Sequence, residues 1–493
     1  MESLFKKLGV HIPEILLPAK GISLTRWSVI ACDQYTSQPD YWQKVNEEVN
    51  GSPSALRLTL PEIYLKDDDK DTRISHINET MQQYVREGTL VPQRPGFILV
   101  DRSTPHTASR KGLILAVDLE CYDYRPGSQT LIRATEGTVL DRIPPRVKIR
   151  ENAPIELPHI MLLIDDPDRT VIEPLFERAS RYEKLYDFDL MQGGGHIKGW
   201  KVEDGESLSL VGSAIEKLAD PAAFARKYGI KSEAAGECSC SSGSSVLLFA
   251  AGDGNHSLAS AKAHWENVKA ALLQQGASAA NASPGKTPGQ SPESDNANSS
   301  RIVPDHPARY ALVEVVNVHD EGLVFEPIHR VLFGIHKTDV LGSIKNICNQ
   351  ESNAKHNTEY TRYDSKASMD AAISSMNCTG SPKCTHLLPF ILEGTYGLIT
   401  AHAPSCSLEV GTLQSFIDEL VKNNSNMEVD YIHGDQVVTE LGSQPGCMGF
   451  FLPVMDKHDL FRTVLLDGVL PRKTFSMGEA EEKRYYLECR SIK

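Results

Sequence analysis

The chain has 493 residues, 40% of them hydrophobic and 24% charged, which is apolar material enough for a large core or about two to three domains. Its 65 Asp and Glu outnumber 51 Lys and Arg for a net charge of −14, which sets aside general affinity for DNA, RNA or an anionic membrane. No apolar run reaches the roughly 18 residues that span a bilayer, and Met1–Val10, with Glu2, Lys6 and Lys7, lacks the apolar core of a secretory signal.

Ten cysteines are scattered without a C-x-x-C pair or a Cys/His cluster at structural-zinc spacing. The expectation is a soluble cytoplasmic protein with reduced thiols. Apolar runs at Phe97–Val100 and Leu113–Val117 read as strands. Next comes Leu131–Arg150, where Arg133, Arg142, Arg146, Lys148 and Arg150 face only Glu136 and Asp141. Guanidinium groups match phosphate or carboxylate oxygens in a two-point fork, so a convergent set would clamp an anionic substrate. A solvated basic loop around Pro144-Pro145 is the alternative.

His159–Ile164 is a further strand-like run, and Glu233–Ser245 is small, polar and loop-like. Val246–Ala250 then reads as a short buried strand, Ala251-Gly-Asp-Gly-Asn-His-Ser257 as a tight turn, and Leu258–Gln274 as a helix. In that helix Leu258, Ala261, Trp265, Val268 and Leu272 recur at helical spacing, and Asn255 or Ser257 is placed to cap it. A strand, a Gly-rich turn and a helix start make an anion site, because free N–H groups and the helix dipole face the turn. Asp253, Asn255 and His256 bring a carboxylate, a carboxamide and an imidazole to it. A carboxylate beside phosphate holds Mg²⁺, and an imidazole there binds phosphate or moves a proton. The competing reading is a helix cap with a surface histidine. Gly252-x-Gly254-x-x-Ser257 is a poor dinucleotide fingerprint, since the acidic residue it needs would fall in the next insert.

That insert, Gln274–Ser300, is Ala, Ser, Asn, Gly and Pro with little apolar bulk and reads as a mobile loop. Its Gly285-Lys286-Thr287 imitates part of a phosphate-binding loop, but Ala280 stands where Gly is required and Pro288 where a helix should begin. Tyr310–Val316 and Leu387–Leu392 are further strands. In Val324–Phe333, His329 and Arg330 sit among apolar residues, where an unpaired cation is costly; a pairing of Arg330 with Glu326 is the plain alternative. At the C-terminal end, Ser476 and Glu479 have capping-box spacing before an expected helix with Glu481 to Arg484 mostly exposed, and Arg472 and Lys473 precede it. Alternating strands and helices predict an α/β or α+β fold of mixed sheets with flanking helices. Regions 1–100, 101–400 and 401–493 are the expected divisions.

R-A-T-E-G-T-V-L-D-R-I-P-P-R, G-D-G-N-H-S-L-A, F-E-P-I-H-R-V-L-F and L-P-R-K-T-F-S-M-G-E-A-E-E-K-R-Y-Y-L-E resemble the long-form members of domain-of-unknown-function family 1015. The stretch W-S-V-I-A-C-D-Q-Y-T-S-Q-P-D-Y-W at Trp27–Trp42 fits the same group. Typical members carry D-G-H-H-R at the turn, which is similar to the turn of the ParB and free-serine-kinase superfamily and implies a nucleotide site in a fold of that kind. The resemblance implies Asp253 as a metal-side carboxylate and His256 as a phosphate contact, with Mg²⁺ as cofactor and ATP or ADP as phosphoryl donor. This chain departs at Asn255, which replaces the first His, and at Ser257, which replaces an Arg fork that Arg330 or Lys473 would have to replace.

Three activities are compatible. A phosphotransferase acting on a small hydroxylated, serine-like metabolite would use Glu136 or His256 as base. A phosphometabolite hydrolase would use the same groups on water, and a nucleotide-binding regulatory module would not turn over. Asp253, His256 and Glu136 are the candidate catalytic residues. Asn255, Arg133, Arg146, His329, Arg330, Arg472 and Lys473 are the candidate phosphate contacts. The expected partner is a small phosphate or nucleotide, with no nucleic acid and no membrane.

Overall fold

The computed structural model describes residues 1–493 apart from 37, 66, 139–142, 231–245, 282–304, 336–341, 343–357, 379–384, 403, 405, 407 and 424–425. The chain forms two compact units. The first comprises Met1–Ala134, Thr138–Gly322 and Ala480–Lys493, and the second Thr135–Gly137 and Leu323–Glu479.

In the first unit ten strands form one sheet: β1 (Val10–His11), β2 (Phe97–Ser103), β3 (Arg110–Asp118), β4 (Tyr122–Asp123), β5 (Ile132–Ala134), β6 (Met161–Ile164), β7 (Glu183–Asp189), β8 (His196–Val202), β9 (Phe249–Asp253) and β10 (Tyr310–Asn317). Their order is β7-β8-β2-β3-β10-β6-β9-β5-β4, with β1 paired to β3. The sheet is mixed. β6 runs parallel to β10, and β9 parallel to β5, while β6 and β9 are antiparallel. All four residues of β6 are buried, and seven of the eight in β10. Continuous apolar runs of this kind suit strands covered on both faces.

Three helices of this unit bear on the argument: α1 (Ile143–Glu151), α2 (Gly205–Leu218) and α3 (Asn255–Asn281). α2 is capped by Asp204, whose side chain accepts the Ser207 N–H. Leu258, Ala261 and Trp265 bury the first half of α3, and Ala259 packs on Ile143 and Val147 of α1. The helix therefore starts three residues before the expected Leu258 and continues through the first residues of the expected loop; 282–300 of that loop and all of Glu233–Ser245 lie outside the described residues.

The second unit has a six-stranded antiparallel sheet made of β11 (His329–Phe333), β12 (Thr358–Tyr363), β13 (Thr385–Leu392), β14 (Thr395–His402), β15 (Glu428–Ile432) and β16 (Cys447–Phe450). Its order is β12-β14-β13-β16-β11-β15. Helices α4 (Lys366–Cys378), α5 (Glu409–Asn423) and α6 (Asp435–Gly442) accompany it, and Leu413, Phe416, Ile417 and Leu420 of α5 join Phe390 and Phe450 in one core. The whole is a mixed-sheet α/β protein, as the alternation of runs predicts. No described helix is long and apolar enough to cross a membrane.

Two local expectations are overturned. The C-terminal helix is absent: Phe475–Met477 is a strand, Ala480–Glu482 a single 3₁₀ turn, and Glu482, Lys483 and Arg484 are buried rather than exposed. Ser476, on that strand rather than at a helix start, donates to Gly478 O at 2.9 Å. The thiols are not all reduced either, since Cys121 is disulfide-bonded, whereas Cys32, Cys406, Cys447 and Cys489 are free.

Candidate functional site

β9 ends at Asp253, and the chain reverses through Gly254 at φ +73° before α3 begins. A Cβ on Gly254 would come 2.9 Å from Ile160 Cα, so a side chain there would meet both backbone strain and a clash. This close approach sets the turn against the residues entering β6, where Met161 pairs with Asp253. Asp253 Oδ1 accepts the Gly254 N–H at 2.8 Å, and Oδ2 lies 3.3 Å from Lys483 Nζ. The Asp253 side chain is 23% exposed, so it reaches solvent from a largely enclosed position.

Neither expected cap is used. Asn255 is the first helical residue, and its amide donates back to Ala251 O at 3.2 Å. Its Oδ1 is buried with no hydrogen-bond partner among the described residues, in a residue only 3% exposed. His256 follows, half-buried in the first turn of α3. Ser257 turns away from the helix N-terminus, with Oγ 3.3 Å from His159 Nε2.

Beside this first turn is a cavity of about 120 Å³. Cys32, Arg146, His159, Ser257, Ser260 and Tyr486 are among the residues lining it. His159 Nδ1 is 2.8 Å from the Tyr486 hydroxyl, and Nε2 is 3.4 Å from Asp33 Oδ2. Burial opposes ionisation of Asp33, but the charge and hydrogen bond of His159 outweigh it and hold the carboxyl below the usual range. Burial, with Asp33 adding to it, pushes the Cys32 thiol up to about 11. Arg146 forms an ion pair with Glu62 at the cavity wall.

Arg133 goes elsewhere. It lies on β5 opposite Ala250 and donates to the carbonyls of Thr130 at 2.8 Å and Val246 at 3.4 Å; burial pushes it down to about 10. Arg142 and Asp141 lie outside the described residues.

Glu136, His329, Arg330, Arg472 and Lys473 belong to the second unit. Four of them converge there. Glu136 Oε2 accepts the Lys473 backbone N–H at 2.8 Å. Arg330, fully buried, donates to Ile328 O and to Arg472 O, the latter at 2.9 Å. The Arg330 and Arg472 guanidinium carbons lie 4.6 and 5.0 Å from the Tyr431 ring centroid, and Arg472 also donates to the Tyr431 hydroxyl at 2.8 Å. The pairing of Arg330 with Glu326 is not what satisfies it. His329 accepts the Leu452 N–H on Nδ1 at 3.0 Å and holds Nε2 3.0 Å from Asp435, out of line for a hydrogen bond.

Among the described residues no group of three or more His, Cys, Asp or Glu is placed to hold a metal ion. Asp253 fits Mg²⁺ only as a single carboxylate, the way a nucleotide-borne ion that keeps its waters is held. The residues sequence reading passed over are Lys483, His159, Cys32, Asp33 and Tyr486. Their signals were a histidine at the mouth of a buried strand and a Cys-Asp pair inside Trp27–Trp42.

A family model described as a protein of unknown function (DUF1015) matches residues 16–420. The chain belongs to that family. No curated protein matches the sequence. Among solved structures, a free serine kinase variant in complex with ADP is similar at 9% identity over 77% of this chain and 92% of that chain, with a TM-score of 0.35. A free serine kinase variant with AMP has 9% identity, covers 80% and 95%, and scores 0.34. A conserved hypothetical protein from Pyrococcus furiosus has 10% identity, covers 76% and 90%, and scores 0.31. TM-scores this low establish no shared site.

Proposed function

We propose that the first unit binds the phosphates of a nucleotide at the Asp253–Ser257 turn and transfers a phosphoryl group to a small hydroxylated metabolite. The observation that carries this reading is the pairing of Asp253 with Lys483 beside a helix start whose Asn255 Oδ1 is buried with no partner among the described residues. A phosphate oxygen at the turn would meet backbone N–H groups of α3 and the Lys483 ammonium. Lys483 would supply the turn with a cation, which Ser257 cannot. A protonated phosphate oxygen or a bound water would satisfy Asn255 Oδ1, which can only accept.

Mg²⁺ carried by the nucleotide would take Asp253 as its protein ligand once phosphate draws Lys483 away, and when bound it would neutralise charge on the transferring group. His256, half-buried in the first turn, would add a phosphate contact. Product analysis by ³¹P NMR tests the reading: the protein with ATP or ADP, Mg²⁺ and L-serine or another small hydroxylated acceptor should yield a phosphomonoester. Inorganic phosphate alone would mean hydrolysis, and nucleotide binding without product would mean a regulatory module.

A further inference from the structure

The turn takes up none of Arg330, Arg472 and Tyr431, which meet within the second unit. On β11, Arg330 shares a face with Leu332, because side chains two apart on a strand point the same way. Its neighbours across the sheet are Phe450 of β16, with Phe390 of β13 beyond it, and Tyr431 of the edge strand β15. Leu332, Phe390 and Phe450 belong to the core that α5 joins, so Arg330 stands at the rim of an apolar face. It is fully buried there, and a buried guanidinium needs acceptors for its N–H groups. The two carbonyls it reaches, of Ile328 and Arg472, leave its Nε–H buried with no partner among the described residues.

Arg472 brings a second cation to the same ring. Its one side-chain hydrogen bond among the described residues goes to the Tyr431 oxygen, which leaves the Tyr431 proton without an acceptor there. Neither guanidinium is bonded to a carboxylate among the described residues. Glu136 favours the charge on Arg330, but Arg472 opposes it, and Glu136 Oε2 is engaged by the Lys473 backbone N–H. The cluster is therefore two like charges and a hydroxyl, all offering donors. What completes such a set is a group that only accepts. A carboxylate answers one guanidinium, whereas a phosphate dianion has the charge and the oxygens for both. Arg472 and Tyr431 are half-buried, so an ion can reach them from solvent.

We propose that Arg330, Arg472 and the Tyr431 hydroxyl form an oxyanion site in the second unit, which takes the phosphate dianion of a small metabolite or of inorganic phosphate. Arg472 supplies the accessible fork and the Tyr431 hydroxyl donates beside it. Arg330 supplies a charge that water screens little, because burial keeps solvent from it.

Calorimetry on the full chain tests the site, with inorganic phosphate, glycerol 3-phosphate and acetate as probes at fixed ionic strength. The variants are R472M, R472K, Y431F and R330M, with K483M as the control for phosphate at the turn of the first unit, and each is checked by a melt. The native chain should bind a phosphate probe more tightly than acetate by about tenfold or more. R472M should weaken that binding by about tenfold or more, R472K by less, and Y431F a few-fold, while K483M keeps it. R330M should act as R472M does; if it melts early, the variants at the half-buried positions 472 and 431 decide alone. Tighter binding of the ester would name a metabolite as the occupant, and tighter binding of the free ion would name inorganic phosphate. No phosphate binding, binding that R472M keeps and K483M abolishes, or acetate held as tightly as phosphate would overturn the site.

Discussion

Arg484 of the first unit and Arg330 of the second are closed in opposite ways, and the first unit contains both kinds, since its buried Arg102 donates to the carbonyls of Gly194, Glu481, Glu482 and Lys483. In the first unit, Arg484 pairs with Glu314 and, at 2.6 Å, with Glu488, whose other oxygen accepts the Tyr186 hydroxyl. Arg490 and Arg150 share Glu156 at 2.8 and 2.7 Å. In the second, the equally buried Arg330 has two carbonyls and the Tyr431 ring, with no carboxylate bonded to it among the described residues. Burial pushes Arg330 down to about 10, whereas in Arg484 the two glutamates overcome burial and raise its pKa. A desolvated cation closed by carboxylates is a structural clamp. One closed by neutral dipoles still gains from an added negative charge.

The largest effect that sharpens this contrast is Arg484→Met. It strands two buried carboxylates, and breaking a buried pair by removing one partner costs about 3–5 kcal/mol. Urea denaturation should show that loss. A shift no larger than that of a surface substitution would mean the pair is not what closes this core.

A second effect depends on pH. His264, on α3, is buried with no partner for Nδ1 among the described residues, and burial, with Arg150 adding to it, pushes it down to about 4 from 6.5. The unfolded chain therefore binds the proton first, so this contribution is complete above pH 6.5 and is lost as pH falls through about 4. The loss is at most ~3 kcal/mol. The depressed carboxyls Glu314 and Glu156 add to the acid end of that fall, their contributions being lost as pH drops below the ordinary 4.5. Stability measured from pH 7 to 5 should fall in the native chain and fall less in His264→Gln, where His11 and His329, also held down by burial, give the remainder.

Arg330→Met comes third. It leaves two carbonyls without a donor but strands no charge, so the cost should be about 1–2 kcal/mol, well below that of Arg484→Met. Equal costs in parallel urea melts would abolish the contrast between the two kinds of closure.

What the sequence disclosed depended on whether the deciding partner was near in the chain. Apolar runs gave β2, β3, β6 and β10 because burial on two faces needs only local composition, and they gave β13 although its burial alternates over its first half. The strand, turn and helix around Asp253 were legible for the same reason. The C-terminal segment was misread because Glu-Glu-Lys-Arg resembles an exposed helix face, whereas Arg484 reaches Glu314, 170 positions away. The cavity was invisible, since residues 32, 33, 146, 159, 257 and 486 meet only in the fold. Cap chemistry at Asn255 and Ser257 failed because Gly254 starts the helix early and sends Ser257 to His159.

The smallest stability effect belongs to Asp253, and there the contrast between clamp and site is sharpest. Asp253 meets Lys483 as Glu314 meets Arg484, but its side chain is 23% exposed against 3%. Asp253→Asn keeps an oxygen for the Gly254 N–H and removes only the charge facing Lys483. A partly exposed pair at 3.3 Å contributes little, so stability should change by no more than ~1 kcal/mol. Binding is a different matter. A carboxamide is a poor Mg²⁺ ligand beside phosphate, and metal-dependent nucleotide affinity should fall tenfold or more, about 1.4 kcal/mol. Calorimetric titration of ADP into both proteins, with and without Mg²⁺, reads the difference alongside a denaturant melt. A D253N variant that binds Mg-ADP as the native chain does, or that simply unfolds, would place Asp253 with the clamps and remove the turn as the phosphate site.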